Sequence, residues 1–360
     1  MIISRYVKVR ALLAITAAVM ALWMLKLIFA YLSELDSLKD SYTYLDALRY
    51  IFYTAPEALE NYMAIGALLG AVIGLGLLAN NSELVAIRAA GISNLRIVSW
   101  VMQPALVFVI LGLLVSQFVL PMSNQLARQV QHKSDTSLLS SSLNGYWDKQ
   151  TQPDNNSRII NVDYADAQGQ LKDITLWQFG QAGELIGISH ASTGKYNNSV
   201  DKSWLLTDVS QVTLATDGTA KQQKLATQTV SLPLAPDSIY LLTRKPEDMS
   251  ITELWQHKQF LATHQRQSLE HDLAFWKKIL SPFAVLSLVL VACSFVFGSL
   301  RTHSLGLRVV VALLFGLVFS YLQDLVGFIS LSTGVSPFVM VVLPIVVSAL
   351  LGLYLVQRKQ

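Results

Sequence analysis

Six long apolar runs constrain this chain more than any other feature of its sequence. A helix needs about 20 apolar residues to cross a hydrocarbon layer of about 30 Å. The runs that reach this length are 11–33, 61–79, 97–120, 279–300, 309–330 and 335–357. The composition agrees, because 52% of the 360 residues are hydrophobic and 14% are charged. The runs predict a polytopic α-helical membrane protein with six transmembrane helices, the first of which is too long for a cleaved signal peptide.

The distribution of basic residues predicts which ends of the spans face the cytosol. The N-terminus, the segment between spans two and three, the loop between spans four and five and the C-terminus together carry nine basic residues and one acidic residue, Glu83. The segment between spans one and two is instead mainly acidic. We therefore expect both termini in the cytosol and the region between spans three and four outside. The net charge of +3 follows from this topology, and no nucleic-acid partner is expected.

The region 122–249, between spans three and four, has an all-β pattern. It is rich in Asn, Asp, Gln, Ser and Thr, and its apolar residues alternate, as Ile160, Val162 and Tyr164 do. Turn dipeptides such as Asp217-Gly218 separate the short alternating runs. The spacing suits a sandwich, a jelly roll or an open barrel. We expect this β domain to be inserted between residues 1–121 and 250–360, which carry three spans each.

A long helix is expected to lead from the β domain into span four. Residues 250–253, Ser-Ile-Thr-Glu, form a capping-box sequence that would start it. His257, His264 and His271 then recur every seven residues, which would place them on one face of a single helix. Seven residues correspond to about 10 Å of helical rise, which is too far for a shared metal ion. We interpret these residues as a polar stripe facing water or a partner.

The sequence offers no candidate for catalysis. The single cysteine, Cys293, lies within span four. A G-x-x-x-x-G-K-[ST] loop for a nucleotide phosphate, an H-E-x-x-H motif and a C-x-x-C motif are all missing from the sequence. We therefore predict a non-catalytic protein without a cofactor or a metal ion.

A short polar segment between spans two and three predicts a small helix outside the membrane. Ser82 is in position to cap residues 84–90, Glu83 lies at the favourable end of the helix dipole, and Gly91 is a C-terminal stop. This helix is too short and too polar to cross a bilayer. We interpret residues 82–91, called the connector below, as a segment presented to a partner.

Small residues within the spans are candidates for helix packing, and ionisable residues there are candidates for contacts with a cavity or with lipid headgroups. Gly66, Gly70 and Gly74, called the glycine ladder below, allow close helix approach, either within the bundle or between two subunits. Lys26 and Asp324 lie near the outer ends of spans one and five, where each either faces an interior cavity or extends to the headgroups. A further pair precedes span four and is expected to contact solvent or headgroups: Lys277 and Lys278.

Several segments resemble one permease family. Residues 66–91 read GALLGAVIGLGLLANNSELVAIRAAG. The other matching segments are FWKK at 275–278, FGSLR at 297–301, GLRVV at 306–310 and YLQD at 321–324. Together they resemble the YjgP/YjgQ (LptF/LptG) family over nearly the whole chain, whereas the β region is similar mainly in length and pattern.

The resemblance implies a permease subunit of an ABC exporter that extracts lipopolysaccharide from the inner membrane of a Gram-negative bacterium and passes it to a periplasmic bridge toward the outer membrane. It also implies a periplasmic jelly-roll domain. The implied partners are an LptF-like second permease subunit, a cytosolic LptB-like ATPase dimer and an LptC-like single-span protein. Closure of the ATPase on nucleotide would push the connector and squeeze a cavity between the two permeases.

The resemblance also implies roles for individual residues. The glutamate of the connector, here Glu83, would seat in a cleft of the ATPase, and Ser82, Arg88 and Gly91 would complete the coupling segment. We add the hypothesis that Arg301 pairs with Glu83 or with carboxylates of the ATPase. The alternative is that Arg301 only anchors the cytosolic side of the spans.

Phosphates on the lipid A end of the substrate require cations near the outer surface. Arg128, just past span three, matches a basic position of the family. The predicted lipid contacts are Lys26, Arg128 and Asp324. Two positions depart from the family pattern, because Phe29-Ala30 stand where a lysine is expected, and Glu57 replaces a basic residue beside a turn at Pro56.

Two other functions are compatible with parts of the sequence. A membrane-anchored periplasmic scaffold that transports nothing would need the spans and the β domain, but it would leave the connector without a purpose. Co-purification with an ATPase discriminates this function from transport. An intramembrane enzyme would require paired acid, nucleophile or metal residues within the spans, and the sequence shows none.

Overall fold

The computed structural model describes residues 2–36, 38, 42–131, 146–151, 156–165, 170–197, 203–214, 219–232, 244–263, 268–297 and 304–357. The chain forms two compact units. Residues 1–134 and 249–360 form a helical unit, and residues 135–248 form a β unit. A sheet is thus inserted between the third and fourth apolar helices, which confirms the predicted fold class.

Six helices of the described chain are long and apolar enough to cross a membrane, as the apolar runs predicted. The helices are α1 (Ile2–Leu35), α2 (Tyr44–Asn80), α3 (Glu83–Ala89), α4 (Asn94–Leu114), α5 (Leu120–Gln131), α6 (Ile251–Thr263), α7 (Leu269–Phe297), α8 (Leu305–Thr333) and α9 (Pro337–Gln357). A π-helical turn, Val115–Val119, joins α4 to α5, so the third span continues as one helix to Arg128. Helices α3 and α6 are too short to cross.

Helices α1 and α2 run antiparallel and pack along the glycine ladder. A Cβ atom on Gly70 would overlap the backbone of Ile15, and one on Gly66 would lie 2.6 Å from Cγ2 of Val19. A Cβ atom on Gly74 would lie 3.1 Å from Cβ of Ala14, in the preceding turn of α1. The ladder therefore lets two backbones approach within one chain, so these glycines pack inside the bundle rather than against a second subunit.

Helix α2 begins well before the predicted second span. Thr43 caps it, because the Thr43 hydroxyl accepts a bond from the Asp46 amide at 3.4 Å and the Asp46 carboxylate accepts one from the Thr43 amide at 3.2 Å. Pro56 lies inside this helix, so the turn expected there is wrong. Neighbouring helices make proline tolerable within a span. Asp46, Glu57 and Glu60 consequently lie on a helix and not in a loop.

The segment before span four is a helical hairpin, and the prediction of one long helix is wrong. The capping box at its start is confirmed, since the Ser250 amide donates to the Glu253 carboxylate at 2.7 Å and the Glu253 amide donates to Ser250 Oγ at 3.2 Å. Helix α6, however, ends at Thr263, and α7 begins only at Leu269. Two helices therefore face each other where one was expected.

The predicted histidine stripe is wrong for the same reason. His257 on α6 and His271 on α7 stack at 3.9 Å between ring centroids, and His257 is 2% exposed. The Ser268 hydroxyl bonds to Nδ1 of His271 at 2.7 Å. His264 lies outside the described residues. The two described histidines thus hold the hairpin together instead of facing water.

The β unit is one antiparallel sheet whose six strands pair in chain order. The strands are β1 (Tyr146–Thr151), β2 (Ser157–Ala165), β3 (Leu171–Phe179), β4 (Leu185–Asn197), β5 (Ser203–Leu214) and β6 (Ala220–Val230). One face carries a buried core that includes Ile160, Val162, Leu176 and the fully buried Trp204. Gly183, in the β3–β4 turn, adopts φ of +84°, a backbone conformation that favours glycine. Strand β1 was not predicted.

Candidate functional site

The connector forms a short helix directly after α2. Helix α3 starts one residue earlier than predicted, and Gly91 follows its end with φ of +82°, as expected for a C-terminal stop. Ser82 occupies the N-cap position, but its backbone is left-handed, with φ of 59° and ψ of 6°, and its side chain makes no capping bond. A capping side chain needs an extended backbone to reach the first amides. The predicted Ser82 cap is therefore wrong.

One face of α3 is anchored to the helical unit, and the other is exposed. Leu84 and Ile87 are 6% and 7% exposed and belong to the same apolar core as α2 and α4. Val85 is 65% exposed, Arg88 is exposed and Glu83 is half-buried. The helix is thus held firmly from one side, with two charged residues and a valine available on the other.

A buried arginine joins the end of α2 to the start of α8, close to the connector. Arg308 is 3% exposed. A Cβ atom on Gly76 would overlap the side chain of Leu305 and lie 3.9 Å from Nη1 of Arg308. We call this contact the α2–α8 joint. Arg301 lies outside the described residues, so its pairing with Glu83 stays a prediction.

Sequence reasoning missed the α2–α8 joint. It treated Arg308 only as one of the basic residues that set the topology. Part of the signal was present in the sequence, because Gly76 interrupts an apolar run. A small residue within a span indicates a close helix contact, but not which helix makes it.

The three predicted lipid contacts lie on three different helices. Lys26 is exposed on α1, Arg128 is half-buried on α5, and the Asp324 side chain on α8 is 74% exposed. Asp324 has a partner within the chain, since Nζ of Lys277 donates to its Oδ1 at 3.2 Å. The expectation that Lys277 contacts only solvent or headgroups is therefore wrong. This ion pair links α7 to α8.

A small cavity of about 30 Å³, lined by both apolar and polar side chains, lies inside the helical unit. Glu60 of α2, Ser116 of the π-helical turn and Lys278 of α7 are among its lining residues. Nζ of Lys278 also donates to the carbonyl of Met249 at 2.7 Å, so this lysine is turned inward and not only toward headgroups as predicted. π-helical turns inside α-helices are frequent at functional sites. The cavity joins three spans through polar side chains.

Tyrosines gather where α1 ends and α2 begins, at the opposite end of these helices from the connector. Tyr42 is 1% exposed and packs with Tyr31 and Tyr50. Its hydroxyl donates to Oε1 of Glu34 at 2.9 Å. Burial, together with the Glu34 carboxylate, raises the pKa of Tyr42 above its usual range. This cluster orders the short segment between the first two spans.

Within the described residues, no three His, Cys, Asp or Glu side chains are grouped to hold a metal ion. His190 has the arrangement that most resembles acid–base chemistry, with Nδ1 at 3.1 Å from the Thr175 hydroxyl and Nε2 at 3.8 Å from the Asp173 carboxylate. Thr175 is 6% exposed, however, so its hydroxyl is closed to a substrate. Cys293 is fully buried in α7. These groups pack the sheet and the bundle.

Comparison with known proteins identifies the family to which this architecture belongs. A family model described as "Lipopolysaccharide export system permease LptF/LptG" matches residues 5–358, which include the connector, all six apolar helices and the sheet. The chain belongs to the LptF/LptG family. The resemblance found in the sequence is thereby confirmed.

Two relatives show how far the similarity within the LptF/LptG family extends. The chain is 30% identical over 354 residues to the lipopolysaccharide export system permease protein LptG of Escherichia coli strain K12, covering 96% of this chain and 95% of that protein. It is also 30% identical over 361 residues to the LptG protein of Haemophilus influenzae, covering 99% of both. Both relatives are LptG proteins, so the resemblance spans the full length of lipopolysaccharide export permeases.

Proposed function

We propose that this chain is one permease subunit of an ATP-driven exporter that extracts lipopolysaccharide from the inner membrane of a Gram-negative bacterium and passes it to a periplasmic bridge. Family membership and the names of the two relatives support the cargo. The observation that carries the proposal is the connector, which Leu84 and Ile87 anchor while Val85 and Arg88 stay exposed. ATP hydrolysis belongs to a separate, LptB-like subunit that binds this exposed face.

The charge distribution supports one orientation of the chain in the membrane. Arg5, Lys8 and Arg10 precede the first span, and Arg88 and Arg96 lie between the second and third spans. Such clusters stay on the cytosolic side. In this orientation both termini and the connector are cytosolic, and the sheet is periplasmic.

Force from the ATPase would travel through α2. A push on the exposed face of α3 moves α2 rather than bending the connector, because Leu84 and Ile87 are packed into the core. Helix α2 passes the movement to α1 through the glycine ladder and to α8 through the α2–α8 joint. Since close-packed helices shift as rigid bodies, both helices move against the second, LptF-like permease and narrow the cavity between the subunits.

The proposed substrate contacts combine positive charge with apolar surface. Lys26 and Arg128 would bind the phosphates of lipid A. Lys26 lies on a helix whose neighbouring turn exposes Phe29 at 62%, which suits an acyl chain. Asp324 is paired with Lys277, so we assign it a positioning role, since a free carboxylate would repel an anionic lipid.

The exposed apolar residues of α1, α8 and α9 can pack against the LptF-like subunit and an LptC-like single helix as well as against lipid.

The sheet can also bind a partner. Strands β1 and β6 are its outer strands in the described part of the chain. An outer strand can pair with a strand of another β domain, which provides a route to the periplasmic bridge.

Charge reversal at the connector tests the proposal. We expect Glu83→Lys to lower ATP-driven release of lipopolysaccharide from proteoliposomes by about tenfold or more, because reversing an interfacial charge costs several kcal/mol. Glu184→Lys is the matched control, since Glu184 is an exposed glutamate of the β3–β4 turn. Unchanged release by Glu83→Lys would refute the coupling role. Restored release on adding Arg301→Glu would support the predicted pair.

Purification from the native membrane tests partner and cargo together. We expect mass spectrometry to detect an ATPase, a second permease and a phosphorylated glycolipid with the full chain. A preparation with neither an ATPase nor a glycolipid would favour the scaffold function instead.

A further inference from the structure

A wide concavity lies between α1 and α4 at the connector end of the helical unit. Its volume is about 1110 Å³, which exceeds the roughly 300–1,000 Å³ of typical ligand pockets. The residues that matter for its chemistry are Ile3, Arg5 and Lys8 on α1, Ile92 before α4, and Arg96 and Trp100 on α4. Three cations thus share one concavity with apolar side chains.

In the described part of the chain, no carboxylate forms an ion pair with the three cations. Arg5 and Lys8 are three residues apart on α1, so they lie on one face of the helix. Residues 1–33 and 84–134 contain no Asp or Glu at all. The concavity therefore carries uncompensated positive charge.

The concavity lies at the depth of lipid headgroups. The apolar run of span one begins at Ala11, so Lys8 and Arg5 lie about 5 Å and 9 Å outside the hydrocarbon edge. Trp100 lies in the first turn of the apolar run that begins at Ile97. Tryptophan prefers this interface between headgroups and hydrocarbon. Cations at the phosphate level, with Trp100 on the hydrocarbon side of Arg96, match an anionic membrane lipid better than a soluble anion.

We propose that this concavity binds an anionic diacyl phospholipid of the leaflet on the connector side. Arg5, Lys8 and Arg96 hold the phosphate, and the acyl chains start against Trp100, which lies on the hydrocarbon side of Arg96. Basic pockets between helices on the cytoplasmic side bind anionic headgroups in this way. The acidic surface of a partner protein is a poorer occupant, because Trp100 lies at the hydrocarbon edge, where the neighbour is lipid and not a soluble domain.

This lipid is distinct from the exported cargo. Lys26, the proposed cargo contact on the same helix, lies about 31 Å along α1 from Arg5. The two lipids therefore occupy opposite leaflets. The bound phospholipid fixes α1 against α4 beside the connector, and its binding requires no export activity.

Native mass spectrometry of the detergent-solubilised full chain tests the proposal. The probe is an equimolar mixture of phosphatidylglycerol and phosphatidylcholine with identical acyl chains. We expect the chain to retain phosphatidylglycerol selectively. In the Arg5→Gln/Lys8→Gln/Arg96→Gln variant, its affinity should fall about fivefold per cation, or roughly a hundredfold, whereas phosphatidylcholine retention should not change.

The control removes three described cations that do not line the concavity, Arg10 of α1 and Lys221 and Lys224 of exposed strand β6, as Arg10→Gln/Lys221→Gln/Lys224→Gln. It should keep the selectivity, and thermal unfolding should show both variants folded. An equal loss in the control, unchanged retention in the test variant or equal binding of both lipids would overturn the proposal. Displacement by excess inorganic phosphate would also overturn it, because a free anion would then suffice. Retention of lipid only while an ATPase is bound would point to the partner's surface instead.

Discussion

Two helix pairs of the same unit are held together by different means. Helices α1 and α2 approach through the glycine ladder, where Gly70 leaves no room for even one carbon atom against Ile15. Helices α6 and α7 are instead joined by side chains, through the stacked imidazoles of His257 and His271 and neighbouring contacts. Spans gain little from hydrophobicity in lipid and depend on close backbone packing. The hairpin begins outside the apolar run and uses contacts that pH and salt can change.

Substituting a glycine of the ladder by alanine should have the largest effect on the free energy of unfolding. We expect Gly70→Ala to lower the free energy of unfolding by about 1–3 kcal/mol, because the new Cβ meets backbone that cannot move aside. Gly306→Ala is the control, since a Cβ atom there meets nothing within 4 Å. That variant should stabilise α8 by about 0.5–1 kcal/mol. Chemical unfolding in detergent measures both, and equal effects would show that the ladder does not pack as described.

Acidification should loosen the hairpin while leaving α1 and α2 unchanged. Burial lowers the pKa of His257 from its ordinary value of 6.5. The opened hairpin therefore binds a proton more readily than the closed one, and the stability of the hairpin is lost as the pH falls below about 6.5. Hydrogen exchange of the α6 amides, corrected for the intrinsic effect of pH, measures this loss. His257→Phe should weaken the dependence, and the double variant His257→Phe/His271→Phe should abolish it, because His271 is the stacked partner within the same hairpin. A dependence that persists in the double variant would assign it to another group.

Removing the surface ion pair of the hairpin should have the smallest effect. Nζ of Lys258 lies 3.0 Å from Oδ1 of Asp272, and both side chains are partly exposed. We expect Lys258→Met to destabilise the hairpin by about 0.2–1 kcal/mol at low salt and by less at high salt. Lys221→Met, on exposed strand β6, is the control. A loss that high salt does not reduce would indicate packing rather than charge.

The contrast between the two pairs also separates what the sequence could predict from what it could not. The four-residue spacing of the ladder and the length of the apolar runs depend on local chemistry, so both predictions hold. The hairpin was missed because residues 264–267 read His-Gln-Arg-Gln, without a glycine or proline to end a helix. Ser268 followed by Glu270 and Asp272 is a helix-start pattern that would have revealed the break.

Other errors arose where long-range packing overrides local preference. The sequence at Ser82 suits an N-cap, but the tight link between α2 and α3 places its backbone in the left-handed region. Pro56 suits a turn, but a span surrounded by other helices accommodates it. The α2–α8 joint brings together residues more than 200 positions apart, and the local pattern around Gly76 does not indicate which distant residues it meets.

The lone sulfhydryl of the chain makes the native sequence a ready background for chemical labelling. Cys293 is fully enclosed within span four, so alkylating reagents and bifunctional cross-linkers should leave the folded wild type unmodified. A single Val85→Cys substitution would then introduce the one accessible thiol, on the outward side of the connector. The compartment from which that thiol reacts, and the protein to which it cross-links, would report the orientation and the neighbour of the connector directly.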